Sequence, residues 1–134
     1  LAALLFKKTV TELNAGRLIR GQQPWVMRMG LNSGAVMAGV VGTNKFVYDI
    51  WGDTVNLASR FEQAGEEGKI NISEATYYAV RNFCECEDRG KIDLKNKGPA
   101  NAFWLERLKP EYSADKFGFT GNKKLFSTLG FGKN

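Results

Sequence analysis

Apolar side chains near the start of the chain recur with helical spacing. Between residues 2 and 15 they stand mostly three to five positions apart, at Leu4, Leu5, Val10 and Leu13. This spacing favours one face of a helix, and Gly16 then supplies a stop signal. The first predicted element is therefore a helix over residues 2–15.

The next apolar stretches are short and separated by turn residues, which is typical of strands. Residues 25–31 and 35–41 flank the turn sequence Asn32-Ser33-Gly34, and this order predicts a β-hairpin. Residues 46–51 predict a further strand, which ends before Gly52.

Helices and strands continue to alternate along the chain. Asp53 or Thr54 can cap a helix that runs to about Ala64, and Ser73 can cap another over residues 74–82. Strands are predicted between and after these helices, at residues 69–72, 83–89, 91–94 and 102–105. Strands interleaved with helices, several joined by hairpins, indicate an α+β fold with helices covering one face of a mixed sheet.

The composition changes after Leu108. Residues 109–134 carry five Lys against two acidic residues and show no helical or strand periodicity. We predict one domain over residues 1–108 and a flexible extension over residues 109–134. Nucleic-acid binding is an alternative function whose only support is this basic, Phe-containing extension. Because the rest of the chain gives it no support, no nucleic-acid partner is expected.

Missing residue types narrow the chemistry. The chain has no His, which excludes His-dependent acid–base catalysis, Ser-His-Asp hydrolysis and His-containing zinc sites within this segment.

Cys84 and Cys86 are separated by one residue, so reduced thiols and a cytoplasmic location are predicted. The apolar start, residues 1–6, is too short to span a bilayer, so any membrane attachment is expected through domains not present here.

Residues 47–60 combine polar side chains with a predicted strand and helix. Asn56 and Arg60 are four residues apart, so they share a helix face, and Arg offers planar donors that suit phosphate. A solvated polar stripe is the alternative interpretation of this spacing. Asp49 lies among apolar neighbours where an unpaired carboxylate is costly, so a ligand amine or a Lys partner is expected for it.

Several ordered motifs resemble the class III adenylate and guanylate cyclases. The matching segments are Arg28-Met29-Gly30-Leu31-Asn32-Ser33-Gly34, residues 36–42, residues 48–60, residues 69–73, Arg89-Gly90 and residues 95–98. The resemblance covers residues 1–108. It implies a ferredoxin-like α+β fold with a mixed, mostly antiparallel sheet, truncated here at the N-terminus.

The resemblance implies roles for six residues. Asp49 would accept a hydrogen bond from the exocyclic amine of adenine, and Ile50 would present its backbone to the ring. Asn56 would orient the ribose 3′-oxygen and Arg60 would stabilise charge on the α-phosphate, which makes these two the predicted catalytic residues. Two further cations are implied to bind phosphates of the substrate: Arg28 and Lys95, with Lys97 as a substitute for Lys95.

The implied reaction is cyclisation of ATP to 3′,5′-cyclic AMP with release of pyrophosphate, assisted by two Mg²⁺ or Mn²⁺ ions. In the family, the metal-binding aspartates and an adenine-contacting lysine precede the helix that opens this chain, so no metal ligand is predicted within it. The resemblance also implies a homodimer with active sites at the subunit interface. One subunit would give Arg28 and the metal ligands, and the other would give Asp49, Asn56, Arg60 and Lys95.

Two departures from the family pattern are modest. Val47 stands where a polar residue is often found near the base, and Asn96 replaces a frequent glycine between two lysines. A catalytically silent, cyclase-like regulatory or nucleotide-binding module, and a guanylate cyclase, stay as alternatives to an adenylate cyclase. Asp49, Asn56 and Arg60 are all present, which favours an active enzyme, although the chain alone is predicted to be inactive.

Overall fold

A computed structural model describes residues 1–44 and 47–131 of the chain. Their helices and strands, in chain order, are α1 (Ala2–Ile19), β1 (Met29–Leu31), β2 (Met37–Val41), β3 (Val47–Trp51), α2 (Asp53–Gln63), β4 (Ile70–Ser73), α3 (Glu74–Val80), β5 (Cys84–Leu94), β6 (Gly98–Leu108), a 3-10 helix (Pro110–Tyr112) and α4 (Lys123–Thr128). The predicted α+β class with a mixed sheet is confirmed.

The larger sheet has four strands in the order β1-β4-β6-β5. Strands β1 and β4 are parallel, whereas β4 with β6 and β6 with β5 are antiparallel. All four residues of β4 are buried, the apolar Ile70 and Ile72 as well as the polar Asn71 and Ser73, in keeping with its place between β1 and β6. The helices therefore pack on this sheet.

The predicted hairpin between residues 25–31 and 35–41 is wrong. Strand β1 pairs with β4, with Met29 opposite Ile70, while β2 pairs with β3 in a separate two-stranded ribbon. The reason is a tertiary contact that a turn signal does not reveal. The Asn32 side chain bonds the backbone of Thr54 and so draws the connection toward α2. Phe46, the first residue of the third predicted strand, lies outside the described residues.

The two strands predicted around Gly90 are one continuous strand. Strand β5 runs from Cys84 to Leu94 with a register shift between Asp88 and Gly90, where Gly90 adopts a φ of 70°. A bulge of this kind inserts a residue without ending the pairing, and glycine adopts positive φ readily. Gly90, which predicted a turn between two strands, therefore marks a β-bulge within one strand.

Two clusters of buried side chains form the core. The larger is built on the sheet and takes in both ends of the chain, with Leu4, Ile70, Ile72, Cys84, Phe103, Leu105, Leu108 and Leu125. The smaller cluster joins Phe61 of α2 to Leu94 and Ala102 of β5 and β6. Removal of these side chains from water is the main favourable contribution to folding.

The expectation of a flexible extension after Leu108 is wrong for residues 109–131. The Leu125 side chain is 1% exposed and belongs to the larger core cluster. The Asn122 side chain caps α4 by accepting a hydrogen bond from the Leu125 N–H at 3.0 Å. Three backbone N–H groups, from Phe117, Phe119 and Thr120, donate to the Asp115 carboxylate. Burial of Leu125, packing of Tyr112 and Phe119 against the same cluster, and local capping therefore order a segment that lacks periodicity.

Of the predicted caps, that of Ser73 is confirmed, since its hydroxyl accepts from the Thr76 N–H at the start of α3. Helix α1 continues past the predicted stop at Gly16 to Ile19. No helix in the part of the chain that the structure describes has the length and apolar character needed to cross a bilayer.

Candidate active site

A tight strand-to-helix connection positions the first site residues. Strand β3 ends at Trp51 and α2 begins at Asp53, with Gly52 between them at a φ of 127°. Glycine adopts this conformation without the steric cost that a Cβ would bring. Asp49 on β3 therefore precedes Asn56 on the adjoining α2 by seven residues.

Helix α2 is amphipathic, and its polar face carries the predicted catalytic residues. On the inner face, Phe61 is 1% exposed and packs against the sheet. Asn56 is exposed and Arg60 is half-buried on the outer face. The four-residue spacing thus brings the two side chains to one surface, as the sequence predicted.

Asn56 and Arg60 line one open pocket of about 370 Å³ together with Lys95. The other lining residues come from the same two elements and are Ser59, Gln63 and Asn96. Neither Arg60 nor Lys95 forms an ion pair with any residue in ranges 1–44 and 47–131. Two unpaired cations beside an amide, in an open pocket, make a surface suited to an anionic ligand.

The turn between β5 and β6 delivers Lys95 to this pocket. Asn96 adopts a φ of 58°, and the Lys97 N–H donates to the Leu94 carbonyl at 3.0 Å to close the turn. Asn tolerates this left-handed conformation better than most non-glycine residues. The replacement of glycine by Asn96 is therefore compatible with the turn. Lys97 is not among the residues that line the pocket.

Asp49 and Ile50 lie on the ribbon of β2 and β3 rather than in the pocket. Both are exposed, and the Asp49 carboxylate accepts a hydrogen bond from the Ile50 N–H at 2.8 Å. Because Asp49, Ile50 and Trp51 are all exposed, the carboxylate is tolerated there without an ionic partner among the described residues, and the expected ligand amine or Lys partner stays a prediction. The Asp49 carboxylate remains accessible to a ligand.

Arg28 lies outside the pocket of Asn56, Arg60 and Lys95. Its Nε is 3.1 Å from Oε1 of Glu62, and the two side chains border a different surface depression. The structure thus brings together three of the six predicted site residues, and the third predicted cation, Arg28, lies elsewhere on the same subunit.

The C-terminal end of α2 is held by side chains from the sheet. The Asn71 Nδ2 donates to the Phe61 carbonyl at 2.7 Å, and Nη1 of Arg89 donates to the Ala64 carbonyl at 3.1 Å. The Arg89 guanidinium also stacks 3.8 Å from the ring centroid of Trp104, and its burial lowers the pKa of Arg89. These contacts fix the helix that carries Asn56 and Arg60.

Gly30 sets how closely α2 approaches the sheet. A Cβ at Gly30 would clash with the backbone nitrogen of Glu62 and would lie 2.5 Å from the Ala58 carbonyl oxygen. Only a residue without a side chain permits this packing. The glycine in the Arg28–Gly34 segment therefore has a structural role beside the site.

Three pocket residues, Ser59, Gln63 and Asn96, were not predicted as site residues. Asn96 adjoins Lys95 in the turn, whereas Ser59 and Gln63 follow Asn56 by three and seven positions, so helical periodicity places them on the same face. That spacing was the signal available in the sequence, and neither residue type by itself draws attention.

The metal ions implied by the resemblance do not fit the described residues. Within ranges 1–44 and 47–131, no three His, Cys, Asp or Glu side chains cluster so that they could hold a metal ion.

A known protein family and individual relatives match this sequence. The sequence model of the family described as Adenylate and Guanylate cyclase catalytic domain matches residues 2–107. The chain is 40% identical over 82 residues to an adenylate cyclase of Mycobacterium tuberculosis, a match that covers 61% of this chain and 18% of the relative. The chain thus spans less than a fifth of the length of that relative.

Solved structures show the same fold. The crystal structure of the adenylyl cyclase CyaB from P. aeruginosa aligns with a TM-score of 0.74 and 30% identity, over 83% of this chain and 58% of that one. The guanylate cyclase domain of RhGC from Catenaria anguillulae, crystallised with GTP, aligns with a TM-score of 0.63 and 35% identity, over 66% and 49%. The predicted ferredoxin-like cyclase fold and the predicted family are confirmed. The chain belongs to the adenylate and guanylate cyclase catalytic domain family.

Proposed function

We propose that the protein containing this chain is an adenylate cyclase, which converts ATP to 3′,5′-cyclic AMP and pyrophosphate. The observation that carries the proposal is the pocket in which Asn56, Arg60 and Lys95 meet without an acidic partner among the described residues. An arginine and a lysine that are not neutralised by carboxylates attract a triphosphate. Membership of the cyclase family supplies the reaction class.

Each pocket residue has a defined task in this proposal. Asn56 binds the ribose and orients its 3′-oxygen toward the α-phosphorus. Arg60 stabilises the negative charge that develops on the α-phosphate, and Lys95 binds the phosphates of the substrate. Positioning and electrostatic stabilisation account for most catalysis of phosphoryl transfer, so no side-chain nucleophile is needed.

Base selection is assigned to the ribbon. The Asp49 carboxylate accepts a hydrogen bond from the exocyclic amine of adenine, and Ile50 offers its backbone to the ring. Asp49 is exposed and its only hydrogen bond among the described residues is to the adjacent N–H, so a carboxylate lone pair is free for the ligand. Guanylate cyclase activity is the competing assignment, favoured by the similarity to a domain crystallised with GTP.

The active form in this proposal is a homodimer. On the ribbon and just before it, apolar side chains are each at least 40% exposed, at Val36, Met37, Val40, Val41, Ile50 and Trp51. Because side chains alternate between the faces of a strand, Met37, Val41 and Trp51 lie on one face and Val40 and Ile50 on the other, so both faces offer apolar side chains to a second subunit. Arg28 lies outside the pocket of its own subunit, and in this proposal it binds the triphosphate held by the other subunit. Mg²⁺ or Mn²⁺ would be held by ligands outside the described residues.

The test is cyclic nucleotide production by the full-length protein with Mn²⁺, with ATP and GTP supplied separately. We expect cyclic AMP from ATP, and we expect Arg60→Ala to reduce kcat by about 100-fold or more, as for removal of one oxyanion donor. Arg81→Ala is the matched control, because Arg81 lies at the end of α3 beside Tyr78 and outside the pocket.

The outcome discriminates between the alternatives. Production of cyclic GMP in preference to cyclic AMP would assign a guanylate cyclase. No turnover of either nucleotide by a folded, dimeric protein would reject the enzyme and favour the catalytically silent module. The 134-residue chain alone is expected to be inactive, and cyclic AMP formation by it would contradict the proposed location of the metal ligands.

A further inference from the structure

The first turn of α2 is held by the chain segment that follows β1. Both ends of the Asn32 amide are used: its Nδ2 donates to the Thr54 carbonyl at 3.1 Å, and its Oδ1 accepts from the Ser73 hydroxyl at 2.6 Å. The Thr54 hydroxyl in turn donates to the Ala35 carbonyl at 2.6 Å. Asn32 thus links the starts of α2 and α3 across 22 and 41 residues of sequence.

The first turn of α2 has no capping side chain of its own. The residue before α2 is Gly52, which has no side chain, and no side-chain capping bond is made there. A capping side chain accepts from first-turn N–H groups, whereas Asn32 donates to a carbonyl of that turn, so the link ties the turn to the β1 side of the chain without capping it. The side-chain hydrogen bonds of Asn32 and Thr54 join this turn to distant described residues, and Asn56 follows Thr54 by two residues.

We propose that Asn32 is a positioning residue for Asn56. It holds the first turn of α2 in the position from which the Asn56 amide contacts the ribose. This inference rests on the proposed cyclase function. A small displacement of a group that orients the reacting oxygen costs more in the transition state than in substrate binding. The loss of Asn32 is therefore expected mainly in kcat.

The main variant is Asn32→Asp in the full-length protein. An aspartate keeps the size and still accepts from Ser73, but it replaces the donor to the Thr54 carbonyl with a second acceptor. We expect kcat for cyclic AMP formation to fall by on the order of tenfold with KM changed less than about twofold. Asn101→Asp is the matched control, since it makes the same chemical change at an exposed amide that contacts Glu74.

A double-mutant cycle separates positioning from general damage. If Asn32 acts through Asn56, then Asn32→Asp lowers the residual rate of Asn56→Ala much less than it lowers that of the unmodified protein. A variant that only destabilises the domain would lower both rates by the same factor, and that result would overturn the proposal. Thr54→Val, which loosens the same turn by removal of its hydroxyl, should repeat the pattern if Asn32→Asp does not fold.

Hydrogen exchange provides a readout that does not need activity. The backbone amides at residues 55–57 should exchange faster in Asn32→Asp, while those of α3 should not. An active unmodified protein with unaltered kcat in Asn32→Asp would reject the inference and leave the proposed function standing. A protein that forms no cyclic nucleotide would reject both, and unchanged exchange at residues 55–57 would reject the structural link itself.

Discussion

Arg28 and Glu62 form an ion pair, with 3.1 Å between Nε and Oε1, on a surface of the subunit that is separate from the pocket of Asn56, Arg60 and Lys95. Both side chains are more than a third exposed, so the pair contributes little to stability. The ion pair fixes the position of the Arg28 side chain. Within one subunit, Arg28 is held beside α2 but outside the pocket that α2 lines.

Complementation between two inactive variants tests whether the site is shared by two subunits. Arg28→Ala and Arg60→Ala should each abolish most activity as homodimers. When the two are mixed and allowed to exchange subunits, one site of each heterodimer combines a native Arg28 with a native Arg60. Random exchange should then restore roughly a quarter of the activity of the unmodified protein.

The measurement is cyclic AMP formation by the mixture, with the heterodimer population followed by native mass spectrometry after one variant is given a mass tag. A mixture of Arg60→Ala and Lys95→Ala is the control, because both changes lie in the same pocket and no heterodimer site regains both residues. Absence of recovery despite demonstrated heterodimers would assign Arg28 to its own subunit or remove it from the site.

Replacement of Asp49 should change which base is preferred. Asp49→Ala removes an acceptor for the adenine amine, and a lost hydrogen bond of this kind costs about 1 kcal/mol or somewhat more. We expect kcat/KM for ATP to fall about tenfold with kcat/KM for GTP little changed. Competition assays with both nucleotides measure the ratio, and Asp93→Ala is the control for loss of an exposed carboxylate. An equal fall for both nucleotides would refute a base-selecting role.

The local elements were predictable because their signals are local. The extent of α2 follows from the glycine at 52 and the apolar spacing that buries Phe61, and the Ser73 cap follows from residue type alone. The shared face of Asn56 and Arg60 follows from helical geometry. Each of these depends on residues within a few positions of one another.

The pairing of strands was not predictable in the same way. Residues 25–31 and 35–41 look like a hairpin locally, but β1 finds its partner in β4, about forty residues later. The choice depends on burial of Ile70 and Ile72 and on the Asn32 link to α2, which are tertiary contacts. The same limit applies to Leu125, a single apolar residue that becomes buried through a distant part of the core.

The packing of Leu125 makes residues 109–131 part of the stability of the domain. Leu125 is 1% exposed in the cluster that contains Leu4 and Leu108. Leu125→Ala should lower the free energy of unfolding by about 2–5 kcal/mol, from lost burial and the cavity left behind. Urea unfolding followed by circular dichroism measures the change.

Phe131→Ala is the control for that variant, since Phe131 is 77% exposed and its removal should change the free energy of unfolding by less than about 0.5 kcal/mol. Similar small effects of the two changes would show that the C-terminal segment is dispensable for the fold, as the sequence pattern alone had suggested.

The two thiols should be protonated and slow to react while the domain is folded. Both are free; burial raises the pKa of Cys84, and burial, with the nearby Cys84 and Glu106, raises the pKa of Cys86 to about 11. The thiolate is the reactive form, so alkylation of Cys86 by iodoacetamide at pH 8 should be much slower in the folded protein than in urea. Mass spectrometry after timed quenching measures both rates.

The same shift predicts how stability depends on pH. The folded state keeps the Cys86 proton at pH values where the unfolded chain has lost it, so the folded state binds more protons and the free energy of unfolding falls as pH rises. The fall should begin near the pKa of an unfolded thiol, about 8.5, and continue toward about 11. Because Lys and Tyr residues also titrate there, the comparison is with Cys86→Ala, in which the slope over this range should be smaller. An unchanged slope in that variant would mean that the Cys86 thiol ionises as readily in the folded protein as in the unfolded chain.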